Sequence, residues 1–230
     1  MKKELTIKRN GFYLFKGSLP DNITAGFTGK EIPGLDPPGN MLEILGELGA
    51  NKKIAWMAQK HSWRVKMVQR AGHYSCDGIF TENKRLVLIV KSADCLPLIF
   101  CHKSGNSLGV VHMGWRSAEA GILEKLDTGH PMSGYTVIAG PGLRPCCYEV
   151  GEEFLSHKNM APFITQSGGK YIFDPISFSH KKLTEKGLIP KNFHDLSLCS
   201  KCSGHVVHSN RRDGTKDRTL NFIFTNDVTE

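Results

Sequence analysis

The 230-residue chain has no long apolar run: none approaches the roughly 18 consecutive apolar residues that a membrane-spanning helix needs. Near the N-terminus, Lys2 and Lys3 are followed by polar residues instead of an apolar segment, so no secretory signal is predicted and we expect a cytoplasmic address. Internal repeats and low-complexity tracts are missing too. We therefore predict one domain over residues 1–230, with two packed lobes as the alternative.

Recognised nucleic-acid motifs are also missing. The chain contains no zinc-finger, bZIP or RNP-type pattern, although 30 Lys and Arg against 22 Asp and Glu give a net charge of +8. These basic residues are scattered, which favours an anionic small substrate over nucleic acid. We predict neither a nucleic-acid partner nor a membrane partner, and both a monomer and a homodimer are compatible with the sequence.

Seven cysteines are present, an odd number in a chain too large to need disulfide staples. This usage predicts reduced thiols, of which a few can be metal ligands or nucleophiles. With 40% hydrophobic residues, the chain can also bury a substantial core.

Apolar patterns indicate strands alternating with helices. Short apolar runs predict strands at 54–58, 63–68, 86–90, 96–101, 108–113, 135–139, 205–208 and 220–225. Helical spacing predicts helices at 40–50, 115–126, 150–157 and 176–187, after an irregular Gly- and Pro-rich loop at 26–40. This order favours an α+β layered fold, in which mixed β-sheets carry helices on their faces.

Cys95 and His112 are the first candidates for chemistry. Cys95 lies between two predicted strands, and His112 ends the next strand, immediately before a turn at Gly114. A side chain at the end of a strand and facing a helix N-terminus is well placed to meet an anion, and Arg116 adds a charged fork suited to phosphate. A cysteine in an apolar stretch is also typical of a small core residue, and composition leaves both interpretations open.

Cys199, Cys202, His205 and His208 form a C-x2-C-x2-H-x2-H pattern, which raises a structural zinc site. Zinc-binding pairs are usually separated by a dozen residues or more, and a strand over 205–208 would point its ends to opposite faces. We therefore do not favour zinc at this set of four.

The segment NRRDGTKDR (210–218) places three arginines around a turn signal. It is either a basic hairpin loop or an arginine cluster that binds anionic groups of a substrate.

Four segments occur in an order that carries a specific resemblance. They are ADCLPLIF (93–100), VHMGWRSAEAGILEK (111–125), GPGLRPCCYEVGEEF (140–154) and SNRRDGTKDR (209–218). Together they resemble the laccase-domain family, also called multicopper polyphenol oxidases, from about residue 54 to the C-terminus. By position, the resemblance implies a metal site at His61, Cys95 and His112, which would be an open three-ligand site for Zn²⁺, with Cu²⁺ as the alternative.

The resemblance also implies an activity. Members of this family act as purine nucleoside phosphorylases that also deaminate adenosine and cleave methylthioadenosine, so a purine nucleoside and phosphate are the expected substrates. Cys95 and His112 would be the catalytic residues, while Arg116 and Arg212 are the candidates for phosphate contact, argued from charge and position.

Three alternatives stay open. The family resembles toxin deamidases with a Cys–His pair, so Cys95 could be the nucleophile of a hydrolase or amidase. Polyphenol oxidation is suggested by the family's name, but multicopper oxidases typically bind copper through paired His-x-His segments, and the ten histidines include no such pair. The loop GFTGKEIPGLDPPGN (26–40) departs from the family pattern, with Lys30 at an arginine position, which leaves room for a non-enzymatic metal-binding protein. Ser117 also replaces the usual glycine after GWR.

Overall fold

The computed structural model describes residues 5–8, 11–15, 17, 19–32, 45–46 and 52–226. The predicted helix at 40–50 lies outside these residues except for Leu45 and Gly46, which are helical. Residues 33–40 of the predicted N-terminal loop also lie outside the described residues.

The strands are, in chain order, β1 (Leu5–Lys8), β2 (Phe12–Phe15), β3 (Ile23–Thr28), β4 (Lys53–Met57), β5 (Val65–Met67), β6 (Gly72–Tyr74), β7 (Gly78–Thr81), β8 (Leu86–Ser92), β9 (Leu96–His102), β10 (Leu108–Met113), β11 (Tyr135–Ala139), β12 (Glu149–Val150), β13 (Ile164–Ser167), β14 (Lys170–Phe173), β15 (Phe193–Asp195) and β16 (Thr219–Thr225). The α-helices are α1 (Trp115–Glu119), α2 (Pro175–Glu185) and α3 (Asn210–Asp213), and single 3-10 turns lie at Met132–Gly134, Glu152–Ser156, Ala161–Phe163 and Pro190–Asn192.

Two large sheets and one small sheet organise these strands. The seven-stranded sheet has the order β1-β2-β3-β16-β8-β4-β6, the six-stranded sheet β15-β11-β9-β10-β7-β5, and the three-stranded sheet β12-β14-β13. Most pairs are antiparallel, but β4 runs parallel to β6 and β8, β5 to β7, and β11 to β15. The mixed sheets confirm the predicted α+β layered fold.

Successive side chains of the central strands alternate between two hydrophobic layers, one on each face of the sheet. In β8, Leu88 and Val90 belong to the core between the two large sheets, whereas Val87 and Ile89 face the outer side of the seven-stranded sheet. In β9, Ile99 and Cys101 join the same inter-sheet core, while Leu98 and Phe100 pack on the side of α1 and α2. The period of two in strands produces this division, because successive side chains point to opposite faces.

Several sequence predictions need correction. The helix predicted over 115–126 ends at Glu119, because Gly121 takes a positive φ of 79° and turns the chain. Residues 205–208 form no strand; His205 itself has a left-handed φ of 59°. The turn at Asp213 is the end of helix α3, capped by Gly214 at φ 61°, rather than a hairpin. The segment near 150–157 is a 3-10 turn instead of an α-helix.

Among the described residues, no helix combines the length and the apolar character required to cross a membrane.

Candidate metal centre

His112 reaches the site because of its position in β10. Alternation along this strand puts His112 on the same face as Leu108 and Val110, at the end of the inter-sheet core, and only 3% of the residue is exposed. Its Nδ1 donates a hydrogen bond to Asp77 Oδ1 at 3.0 Å. This bond fixes the tautomer and leaves the Nε2 lone pair as the metal-binding or base position.

Asp77 is a fully buried carboxylate whose hydrogen bonds order the chain segment that carries His61. Besides His112, it accepts hydrogen bonds from the backbone N–H groups of Lys60, His61 and Ser62 at 3.1, 3.0 and 2.7 Å, and from the Ser62 hydroxyl at 2.8 Å. These bonds hold His61 in a left-handed conformation with φ 55°. Although burial opposes ionisation, the hydrogen bond from His112 and those from Ser62 lower the pKa of Asp77 to about 2.

Cys95 follows another strained residue. Asp94 has a φ of 88°, and its carboxylate accepts hydrogen bonds from the hydroxyls of Ser200 and Ser209 and from the backbone N–H of Arg211, each at 2.7 Å. These three bonds offset the backbone strain of the turn between β8 and β9, and thereby aim Cys95 into the site. Asp94 thus positions the Cys95 thiol, as Asp77 positions the two histidines.

Three side chains predicted from the family resemblance come together. Donor atoms of His61, Cys95 and His112 all lie within 4.8 Å of one another, and Cys95 Sγ is 3.7 Å from His61 Nε2. Zinc binds thiolate at about 2.3 Å and imidazole at about 2.0–2.1 Å, which places the ligand atoms of such a set roughly 3.3–3.6 Å apart. Two imidazoles and one thiolate, with an orienting carboxylate behind one imidazole, therefore fit a divalent transition metal.

Gly114 leaves the space in which these ligands meet. A Cβ at this position would lie 2.6 Å from Cδ2 of His61 and 3.0 Å from Sγ of Cys95, so the absence of a side chain is required. The turn is held by Ser117, whose buried Oγ accepts from the Gly114 N–H at 2.9 Å. The serine that departs from the family pattern thus orders the chain directly after His112.

Cys95 and His112 influence each other's protonation. Burial raises the pKa of Cys95, but the neighbouring imidazoles, His112 first, more than offset it and lower that pKa to about 6. Burial lowers the pKa of His112, whereas the Cys95 thiolate and the hydrogen bond to Asp77 raise it above its usual value. These shifts favour a thiolate beside an imidazolium when no metal is bound, and a metal ion bound there would replace that proton.

The side chains of His61, Cys95 and His112 line a cavity of about 660 Å³ with a cationic wall. Its basic lining residues are Lys60, Lys91, Arg116, Arg211, Lys216 and Arg218. The aromatic rings of His73, Trp115 and Tyr148 also line the cavity, and the Arg116 guanidinium lies 4.3 Å from the Trp115 ring. Because α1 is only one turn long, the positive charge comes from these side chains more than from a helix dipole.

The two arginines predicted to contact phosphate, Arg116 and Arg212, lie in different places. Arg116, Arg211 and Arg218 line the cavity, whereas Arg212 is not among the described lining residues. Arg212 instead pairs with Asp213 at 2.7 Å and donates to the carbonyls of Ser200 and Val207 at 2.6 and 2.7 Å. In this structure its guanidinium donors therefore hold the chain around α3.

Sequence reasoning missed Asp77 and Asp94 as positioning residues. Asp77 sits in a turn before β7, where an aspartate followed by glycine is an ordinary turn signal. Its contacts with His112 and with residues 60–62 span 15 to 35 positions along the chain, so no local spacing reveals them.

Comparison with known proteins shows the family of the chain. The family described as "Multi-copper polyphenol oxidoreductase laccase" matches residues 39–226. The chain belongs to this family. A relative from Aquifex aeolicus, named "Purine nucleoside phosphorylase", is 32% identical over 192 residues, which cover 80% of this chain and 89% of the relative. "Purine nucleoside phosphorylase YfiH" from Shigella flexneri is 30% identical over 75% of this chain and 74% of its own.

A solved structure shares the fold. The structure of YlmD from Geobacillus stearothermophilus superposes with a TM-score of 0.87 over 98% of this chain and 100% of that one, at 22% identity. This likeness confirms the layered arrangement of mixed sheets.

Proposed function

We propose that the protein cleaves purine nucleosides by phosphorolysis at this cavity. The observation that carries the proposal is the opening of a convergent His–Cys–His ligand set into a cavity with a cationic wall. The names of the relatives from Aquifex aeolicus and Shigella flexneri support the same activity. Phosphorolysis requires an anion and a nucleoside to be held side by side, and the cavity offers charged and flat surfaces for both.

Zinc is the metal we propose for His61, Cys95 and His112, with Cu²⁺ as the alternative suggested by the family's name. When bound there with an open coordination position, the ion supplies Lewis-acid polarisation of a substrate atom or activation of water. Asp77 keeps His112 in the ligating tautomer, and Gly114 leaves room for the His61 ring. In this way Cys95 and His112 serve the reaction as ligands at its centre.

Phosphate is assigned to the cationic wall. Arg116 presents a planar fork that can donate two parallel hydrogen bonds to a phosphate, and its contact with the Trp115 ring limits the orientations it samples. Arg211 is a second candidate in place of Arg212, because its backbone is fixed on Asp94 and its guanidinium lies 5.3 Å from the Tyr148 ring. The aromatic faces of the cavity are suited to a purine base.

Assays with inosine, adenosine and methylthioadenosine, each with and without phosphate, test this function. We expect base release that requires phosphate, and its loss in Cys95→Ala and His112→Ala. Deamination of adenosine is proposed as a side activity of the same centre, seen as inosine formation without phosphate. Base release that does not depend on phosphate with any of the three nucleosides would refute the phosphorylase proposal.

A Cys–His hydrolase or amidase is the second candidate, favoured by the low pKa of Cys95. The two functions differ in their response to chelation. Activity that persists after metal removal but is abolished by thiol alkylation would support the nucleophile, whereas activity restored by zinc would support the metal centre. Polyphenol oxidation is less well supported, because no His-x-His pair is available to hold a copper cluster.

A further inference from the structure

Four cysteine thiols outside the cavity form a second cluster. Sγ atoms of Cys146, Cys147, Cys199 and Cys202 all lie within 4.8 Å of one another, and those of Cys146 and Cys202 are 3.5 Å apart. All four are free thiols; Cys199 is buried, while Cys146 and Cys202 are exposed. Four sulfurs at the corners of a zinc tetrahedron lie about 3.8 Å apart, given zinc–sulfur bonds of about 2.3 Å.

Backbone hydrogen bonds shape both cysteine-bearing turns independently of the thiols. The first turn closes with the Cys147 N–H on the Arg144 carbonyl at 2.8 Å, and the second with the Ser203 N–H on the Cys199 carbonyl at 3.0 Å. A parallel bridge between Gly142 and Cys199 ties the turns together. The thiols are therefore brought together by chain segments that are separated by about fifty residues and already paired.

We propose that Cys146, Cys147, Cys199 and Cys202 bind a structural zinc ion as four thiolates. Binding forms four zinc–sulfur bonds and releases the thiol protons of the four cysteines to solvent. A closed tetrahedral set of sulfurs is the arrangement typical of structural zinc, in contrast to the three-ligand centre with its open position. The C-x2-C segment is a ligand pair, as its spacing suggested, but its partners are Cys146 and Cys147 rather than His205 and His208.

This second ion would support the wall of the first site. The turn at 144–147 continues from Leu143, whose N–H donates to the Asp94 carbonyl at 2.8 Å. The turn at 199–203 includes Ser200, whose hydroxyl donates to the Asp94 carboxylate at 2.7 Å. Leu143, directly before the first cysteine turn, and Ser200 in the second therefore both contact the strained residue before Cys95, and a zinc ion between the turns would hold that residue in place.

Zinc content per chain tests the proposal. After loading with Zn²⁺ under reducing conditions and removal of free metal, we expect two zinc ions per parent chain and one in the Cys146→Ser/Cys202→Ser variant. Cys95→Ser should also retain one, because it affects only the catalytic centre. Cys101→Ala, a buried cysteine of the inter-sheet core, is the matched control and should retain two.

Cobalt substitution of the parent protein provides a measurement that does not depend on the folding of any variant. Thiolate-to-cobalt charge-transfer absorption grows with the number of thiolate ligands, so a four-thiolate site gives a much stronger band than the single thiolate of Cys95. A parent chain that binds one zinc ion, lost in Cys95→Ser and kept in the double variant, would overturn the second site while leaving the first intact. Iron at the four thiols, or a Cys146–Cys202 disulfide under reducing conditions, would equally contradict it.

Discussion

Replacing Asp77 by asparagine tests how the structure orders its ligands. Oδ1 of Asp77 accepts from His61 N and His112 Nδ1, while Oδ2 accepts from Lys60 N and from both donors of Ser62. Asparagine has one acceptor oxygen and one amide group. In either orientation, its amide hydrogens face at least two of these donors, which lie in part-buried hydrogen bonds and then lose their partners.

The size of the expected loss in the free energy of unfolding follows from two arguments. Each buried donor left without a partner costs about 1–3 kcal/mol, so two of them lower the free energy of unfolding by roughly 3 kcal/mol. Independently, lowering the Asp77 pKa from 3.8 to about 2 corresponds to about 2.4 kcal/mol of stabilisation from the ionised form. The loss of an orienting carboxylate should also weaken zinc binding by about 10- to 100-fold.

Urea unfolding of the metal-free protein and competition titration with a zinc chelator measure these two effects. Asp127→Asn is the matched control, because this exposed carboxylate accepts only the Gly129 N–H at 3.1 Å among the hydrogen bonds described. Since the folded pKa of Asp77 is lowered, its stabilisation is complete above about pH 4 and disappears as the pH falls toward 2. The difference in stability between parent and Asp77→Asn should shrink over that interval. Equal stability and equal zinc affinity at pH 7 would refute the reasoning.

Three further perturbations separate metal binding from anion binding. Gly114→Ala should reduce zinc affinity at least about tenfold, because the added Cβ displaces His61. The metal-free fold should be kept, because the backbone at this position (φ −86°) accepts alanine. An unchanged zinc titration would contradict this prediction. Arg116→Ala should raise the KM for phosphate by on the order of tenfold while the zinc content stays unchanged. Arg116→Lys should reverse part of that rise in KM. An unaltered phosphate KM in steady-state assays would exclude Arg116 as a phosphate contact. In metal-free protein, alkylation of Cys95 should be half-maximal near pH 6, whereas Cys101, with its pKa raised by burial to about 12, should stay unreactive at neutral pH; mass spectrometry of both peptides checks the difference.

Local patterns predicted the central strands, because buried strands carry their own signal in short apolar runs. The runs at 86–90, 96–101 and 108–113 became β8, β9 and β10 with bounds within two residues. Predictions that depended on a single turn were less successful. One glycine with a positive φ shortened the helix after Trp115, and the apolar appearance of 205–208 was not enough for a strand.

Cys95 and His112 were candidates from the sequence itself, whereas His61 was predicted only through the family resemblance. His61 lies in a segment without regular structure, 34 positions before Cys95, and no periodicity connects them. The four-thiol cluster left a clearer trace, since a Cys-Cys pair and a C-x2-C pair are both visible in the chain. Their partnership could not be inferred, because the bridge between Gly142 and Cys199 that joins the two turns is a tertiary contact.

Anomalous diffraction at the zinc absorption edge, from crystals of the zinc-loaded protein, tests the central claim most directly. We predict a peak at bonding distance from Cys95 Sγ and from one ring nitrogen each of His61 and His112, about 2.0–2.3 Å away. Zinc-loaded crystals with no anomalous peak among these three side chains would contradict the metal centre on which the proposed activity rests.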